Sequence, residues 1–143
     1  MLNQTSEYAL RAVAHLAGLA PDEHLGAAQL AEALDVPANY LSKILHQLAA
    51  AGVLESRRGR NGGFRLARRA DRITLEAVVK HFGAQSPLGT CVLGGRICSD
   101  RAACPAHSRW KPVVARMDVF LRGTTVAQLL PARTGPARRV RGS

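Results

Sequence analysis

Three cysteines and one of the five histidines of this 143-residue chain fall within seventeen residues, C-V-L-G-G-R-I-C-S-D-R-A-A-C-P-A-H from Cys91 to His107. Six residues separate Cys91 from Cys98, five separate Cys98 from Cys104, and two separate Cys104 from His107. Thiolates are soft donors that hold zinc or iron, and both metals take a fourth ligand beside three sulfurs or leave that position open. Gly94, Gly95 and Pro105 punctuate the stretch, so it is expected to be a loop folded around something small. An odd cysteine count without a secretory leader opposes a disulfide framework, since one thiol is always left over. The plain alternative, three unliganded thiols, is disfavoured because free cysteines usually sit in cores and not in polar, glycine-rich segments.

A loop of this kind needs a body to act on, and the length suffices for one compact domain with an appended helix. With 47% hydrophobic residues the chain can build a core. No apolar run approaches the roughly 20 residues of a membrane span, and M-L-N-Q-T-S-E lacks the basic start and apolar stretch of a signal peptide, so a reducing cytoplasm is the expected location. The charge balance is 20 basic against 10 acidic residues, a formal +10, which points to a polyanionic partner. That charge is unevenly spread. Seven arginines lie between Arg57 and Arg72 against one acid, Asp71, and four more lie between Arg133 and Arg141 against none. Nucleic acid is favoured over an anionic membrane because no basic amphipathic helix accompanies these clusters.

The elements that would present this charge are legible in the periodicity. Thr5 or Ser6 is expected to cap a first helix carrying Leu10, Val13, Ala14 and Leu16 and ending near Pro21, with Glu7 in its first turn, where an acid ordinarily complements the helix dipole. Then A-A-Q-L-A-E-A-L and P-A-N-Y-L-S-K-I-L-H-Q-L-A-A-A predict a short helix and a longer one, joined at Asp35 and Val36. Short helix, tight turn and longer helix form a helix-turn-helix pattern, in which the second helix enters the major groove. Its outward residues, Asn39, Tyr40, Ser42, Lys43, His46 and Gln47, are the candidate contacts to bases and phosphates. Gly52 ends this helix, and Val53–Ser56 with Phe64–Leu66 predict a hairpin whose tip is R-R-G-R-N-G-G. A hairpin directly behind a helix-turn-helix is a wing; Arg58, Arg60 and Asn61 at its tip are expected to reach the DNA, while Asn61, Gly62 and Gly63 also suit a turn with positive backbone angles.

Asp71–Phe82, capped by Thr74, is expected to be a connecting helix leading into the cysteine loop. Beyond it, Ser108–Arg122 carries Trp110, Val113, Val114, Met117 and Leu121 on one stripe, with Pro112 expected in the first turn. Such a stripe either packs on its own domain or pairs with a second copy. T-T-V-A-Q-L-L should make a short turn packing back, and from Pro131 a basic, disordered tail is expected. The fold class is therefore mainly α with a small β-wing: a winged helix-turn-helix domain with its connecting helix over 1–82, a cysteine loop over 83–107, a long dimerisation helix and short final helix over 108–130, and the tail over 131–143.

The stretch from Ala27 through the wing to Arg68, together with S-E-Y-A-L-R-A before it, the three-cysteine loop behind it and T-T-V-A-Q-L-L near the end, resembles the IscR and NsrR type of bacterial winged-helix regulators, the Rrf family. The resemblance implies a homodimer on an operator in double-stranded DNA and an iron–sulfur cluster, 2Fe–2S or 4Fe–4S, on Cys91, Cys98 and Cys104. For the fourth ligand it implies either His107 or Glu7, the latter contributed from the partner subunit's first helix. The expected function is that of a cytoplasmic transcriptional regulator, a repressor, that senses redox state, nitric oxide or cluster status. The rival reading is a zinc-binding or cofactor-free winged-helix repressor, since three cysteines and a histidine also suit zinc. An enzyme is not expected: no paired carboxylates in a cleft pattern, nucleophile elbow or phosphate-binding loop occurs, and R-N-G-G-F opens no helix.

Overall fold

The computed structural model describes residues 2–82 and 105–131. Helix α1 spans Gln4–Ala17, and its cap is Asn3, not Thr5 or Ser6: the Asn3 side chain accepts the backbone N–H of Ser6 at 2.8 Å. Ser6 is instead fully buried on the inner face with Ala9, Ala12, Val13 and Leu16. With Asn3 as the cap, the helix starts ahead of the expected position and Ser6 falls at the head of the inner stripe.

Helix α2, Ala27–Leu34, ends at Asp35, whose left-handed conformation (φ 54°, ψ 54°) reverses the chain within two residues. Helix α3, Ala38–Ala50, starts behind Pro37 and buries Leu41, Ile44, Leu45 and Leu48. These four side chains meet Leu30 and Ala31 of α2 and the inner face of α1 in one core. Each helix thus hides a stripe at the 3.6-residue period and leaves its polar face outside.

Strands β1, Leu54–Arg57, and β2, Gly63–Leu66, pair antiparallel with Leu54 opposite Leu66 and Arg57 opposite Gly63. Leu25 adds a short third rung, exchanging two backbone hydrogen bonds with Phe64 at 2.7 and 3.1 Å. The hairpin is thereby bound to the segment that enters α2. Its glycines are used differently from the expected Asn61–Gly63 turn. Positive φ falls on Gly59 (108°) and Gly63 (141°), while a β-carbon on Gly62 would overlap the Arg57 carbonyl and one on Gly63 the Leu25 backbone.

The expected helix over Asp71–Phe82 is shorter. Asp71 belongs to a separate 3₁₀ turn, Ala70–Arg72, and α4 covers Leu75–Val79 behind a Thr74 cap that accepts the Ala77 N–H at 3.1 Å. Helix α5, His107–Gly123, begins one residue before the expected start, so Pro112 stands in its second turn and not its first. Proline there deprives the Ser108 carbonyl of its donor; Ser108 is exposed, so water can take that place. A closing 3₁₀ turn, Val126–Leu129, packs back as expected. Val126 is fully buried, its N–H donates to the Ile73 carbonyl at 2.8 Å, and the Leu75 N–H donates to the Thr124 carbonyl at 2.9 Å.

Candidate nucleic-acid interface

The outer face of α3 is set by the inner one. Because Leu41, Ile44, Leu45 and Leu48 are buried, Asn39, Ser42, Lys43 and His46, spaced at i, i+3, i+4 and i+7, must share the opposite face. Asn39, Lys43, His46 and Gln47 are exposed and Ser42 is half-buried. Over the first two turns this places polar groups along about 10 Å of helix, at 1.5 Å per residue. An open depression of about 460 Å³ lies against it, lined by Thr5, Tyr40, Lys43, Ile44, His46 and Gln47.

Tyr40, expected among the DNA contacts, is engaged with α1. Its hydroxyl hydrogen-bonds the Thr5 hydroxyl, and its ring meets Tyr8 edge-on with centroids 5.7 Å apart. Gln4 donates to the Tyr8 hydroxyl at 3.0 Å, and the Arg11 guanidinium lies 5.8 Å from the Tyr8 ring centre while donating to the Leu34 carbonyl at 2.6 Å. One cluster thus braces α1 against both helices of the helix-turn-helix. Tyr40 keeps 38% of its surface, so part of the ring still faces the depression.

The wing presents charge beside this face. Arg57, Arg58 and Arg60 are exposed and make no ion pair among the described residues, and Asn61 is exposed beside them. Gly62 donates its N–H to the Gly59 carbonyl at 3.0 Å, closing the tip that carries Arg60 and Asn61. Arg65 is different: it pairs at 2.7 Å with Glu55, its partner across the ladder, and is spent within the sheet. The register is what separates a structural arginine from those available to phosphate.

The second group of candidates is the set of possible cluster ligands. Cys91, Cys98 and Cys104 fall outside the described residues, as does the tail from residue 132. Glu7 is exposed in the first turn of α1, with no ion pair among the described residues. His107 is the first residue of α5 and is half-buried. Sequence reasoning missed Asn3, which caps α1 with its oxygen and donates its amide N–H to the Phe82 carbonyl at 2.9 Å. An asparagine just before an amphipathic helix could have been recognised as a cap; a partner 79 residues away could not. The bond ties the last described residue before the loop to the turn that carries Glu7.

A polar recognition helix, a basic wing and a helix beyond the loop are the parts of a DNA-binding regulator, and comparison with known proteins agrees. The model of the Rrf2 family, described as iron-dependent transcriptional regulators, matches residues 2–132. The chain belongs to the Rrf2 family. It is 38% identical over 133 residues to the HTH-type transcriptional regulator NsrR of Geobacillus kaustophilus, covering 92% of this chain and 90% of that protein. It is 30% identical over 136 residues to the HTH-type transcriptional repressor NsrR of Streptomyces coelicolor, covering 94% and 91%. Among solved structures, CymR, the global cysteine regulator of B. subtilis, superposes with a TM-score of 0.73 at 22% identity, covering 90% of this chain and 95% of that one. IscR of T. potens gives 0.72 at 19% identity, covering 96% and 93%. These neighbours share the winged-helix fold, and the Rrf2 assignment makes the chain a transcriptional regulator that binds DNA, not an enzyme. No helix among the described residues is long and apolar enough to cross a membrane.

Proposed function

We propose that this Rrf2 regulator is a homodimeric repressor whose hold on its operator is governed by an iron–sulfur cluster, bound by Cys91, Cys98 and Cys104 with a fourth ligand from His107 or from Glu7 of the partner subunit. The observation that carries the reading is the placement of the two candidate fourth ligands. His107 stands where the cysteine segment rejoins α5, and Glu7 is exposed on the first turn of α1 with no ion pair among the described residues, so a partner's cysteine segment can reach it. Three thiolates and one oxygen or nitrogen donor fit an iron–sulfur cluster, which would supply sensitivity to oxidants or nitric oxide at the least firmly ligated iron. The iron dependence in the family description supports iron over zinc.

The residues themselves supply the coupling. With the cysteine segment held, the start of α5 at His107 would be fixed relative to Phe82, while its last turns are already tied to α4 through Leu121 and Thr124. Helix α5 buries only Leu121 on its own domain and leaves Val113, Val119 and Phe120 at 47%, 71% and 55% exposure, which supports a second copy as its partner. Two-fold pairing through α5 sets the separation of two α3 helices, and a duplex accepts that separation only at about one helical turn of roughly 34–36 Å. With the loop released, fewer molecules hold the spacing that spans both half-sites.

Isolation without oxygen, followed by visible absorption and iron and sulfide analysis, tests the cofactor. A coloured protein with iron and acid-labile sulfide is expected, and stoichiometric zinc in a colourless protein would replace the sensor with a structural site. Operator affinity before and after exposure to nitric oxide tests the coupling. Equal affinity in both states removes it.

A further inference from the structure

Among the outward side chains of α3, His46 is held at two points by its own fold. Its Nδ1 lies 2.7 Å from the backbone carbonyl of Ser42, one turn earlier. A carbonyl only accepts, so in the neutral ring Nδ1 carries the hydrogen and donates it, leaving Nε2 a lone-pair acceptor. The ring also meets Phe64 edge-on, centroids 5.4 Å apart and planes at 82°. Phe64 is itself buried and fixed by its paired backbone hydrogen bonds to Leu25. An exposed imidazole is therefore set in orientation before any ligand arrives, and little rotamer freedom remains to be lost on binding.

A fixed acceptor is selective on a duplex. Phosphate oxygens, guanine O6 and N7, and thymine O4 only accept, so none of them can answer Nε2. The donors in the major groove are the exocyclic amines of adenine and cytosine. We propose that His46 is a specificity-determining residue that, through Nε2, selects an amino base, adenine or cytosine, over guanine or thymine at one position of each half-site. The inference rests on α3 occupying the major groove and adds to it the chemistry of one contact. Lys43, on the same face one turn earlier, has donors alone and is suited to phosphates or guanine, so the two residues divide the work between opposite kinds of partner.

In vitro selection from a random duplex library at pH 8 tests this with the full-length wild type, His46→Ala and His46→Gln. The wild type should enrich a motif with adenine or cytosine preferred at one position per half-site. His46→Ala should keep the rest of the motif and lose about tenfold discrimination at that position alone. His46→Gln restores an acceptor of similar reach and should restore the amino base, with adenine favoured because the amide can also donate to N7. Thermal unfolding of both variants close to that of the wild type shows that the wing has kept its place. The proposal is overturned if the motif of His46→Ala is unchanged, if the position it controls favours guanine or thymine, or if affinity falls equally for all sequences as for a phosphate contact. A wild type that enriches no motif would overturn the groove placement, and the His46 role with it.

Discussion

Helices α3 and α5 are of similar length and are placed in the molecule in opposite ways. In α3, Leu41, Ile44, Leu45 and Leu48 are at most 2% exposed, and the polar face is left to solvent. In α5, only Leu121 is buried, and three apolar side chains elsewhere on it stand in solvent. A helix of 17 residues gains most of its stability from tertiary packing, and α5 has that packing over its last turns alone. The difference separates a face finished within the chain from one whose apolar side chains it leaves uncovered, as the proposed dimer requires. The first suits DNA, which supplies charge and hydrogen bonds; the second suits another copy of α5, which supplies apolar area.

The comparison breaks most severely through the core beneath α3. Leu48→Ala removes a fully buried side chain and should cost about 2–5 kcal/mol of stability, read by chemical denaturation. An equal loss from Val119→Ala in the dissociated monomer would show that α5 is packed on its own domain after all. Gly63→Ala should come next. The new β-carbon meets the Leu25 backbone at a φ of 141°, so a loss of about 1–3 kcal/mol and a displaced wing are expected, whereas Gly59→Ala, also at positive φ but with open space around it, should cost less. Equal melting temperatures for the two would mean that the Leu25 rung does not hold the hairpin.

Phe120→Ser sharpens the contrast from the other side. Monomer stability should change by no more than about 0.5 kcal/mol, while sedimentation should show dimer dissociation at least tenfold weaker and operator affinity should fall with it. Unchanged sedimentation would leave α5 a merely solvated helix. Arg60→Ala should weaken binding on every duplex by a similar factor and flatten the salt dependence by about one phosphate contact; unchanged affinity across salt concentrations would remove the wing tip from the interface. The smallest effect belongs to Arg122, which links α5 to α4 by pairing with Glu76 at 3.4 Å and also pairs with Asp118 of its own helix at 3.1 Å. Its guanidinium is mostly exposed, so Arg122→Ala should cost about 0–1 kcal/mol and less in high salt.

Periodicity and composition located the first helix, the two helices of the helix-turn-helix, the wing and the long last helix, because each carries a pattern of apolar and polar residues whose spacing is a property of the local chain. The basic wing and the cysteine loop are equally local patterns and were enough to suggest the Rrf family. Extents were less legible. Ser6 was expected at a cap and is buried, since helical periodicity does not say where the inner face of a helix meets its neighbours. Pro112 was expected in the first turn, and His107 lengthened the helix in front of it.

What the residues settle alone is which groups exist and at what spacing: an α3 face of hydrogen-bonding side chains, arginines on a tight turn, three sulfurs from Cys91 to Cys104. What the folded chain decides is which of these groups remain available. Tyr40 is occupied by Thr5 and Tyr8, Arg65 by Glu55, and Asn3 by Phe82, while Arg58 and Arg60 make no ion pair among the described residues. Spacing along a helix or strand is fixed by backbone geometry within a few residues. Partnership depends on which distant segments the core brings together, and that is decided only when the whole chain packs.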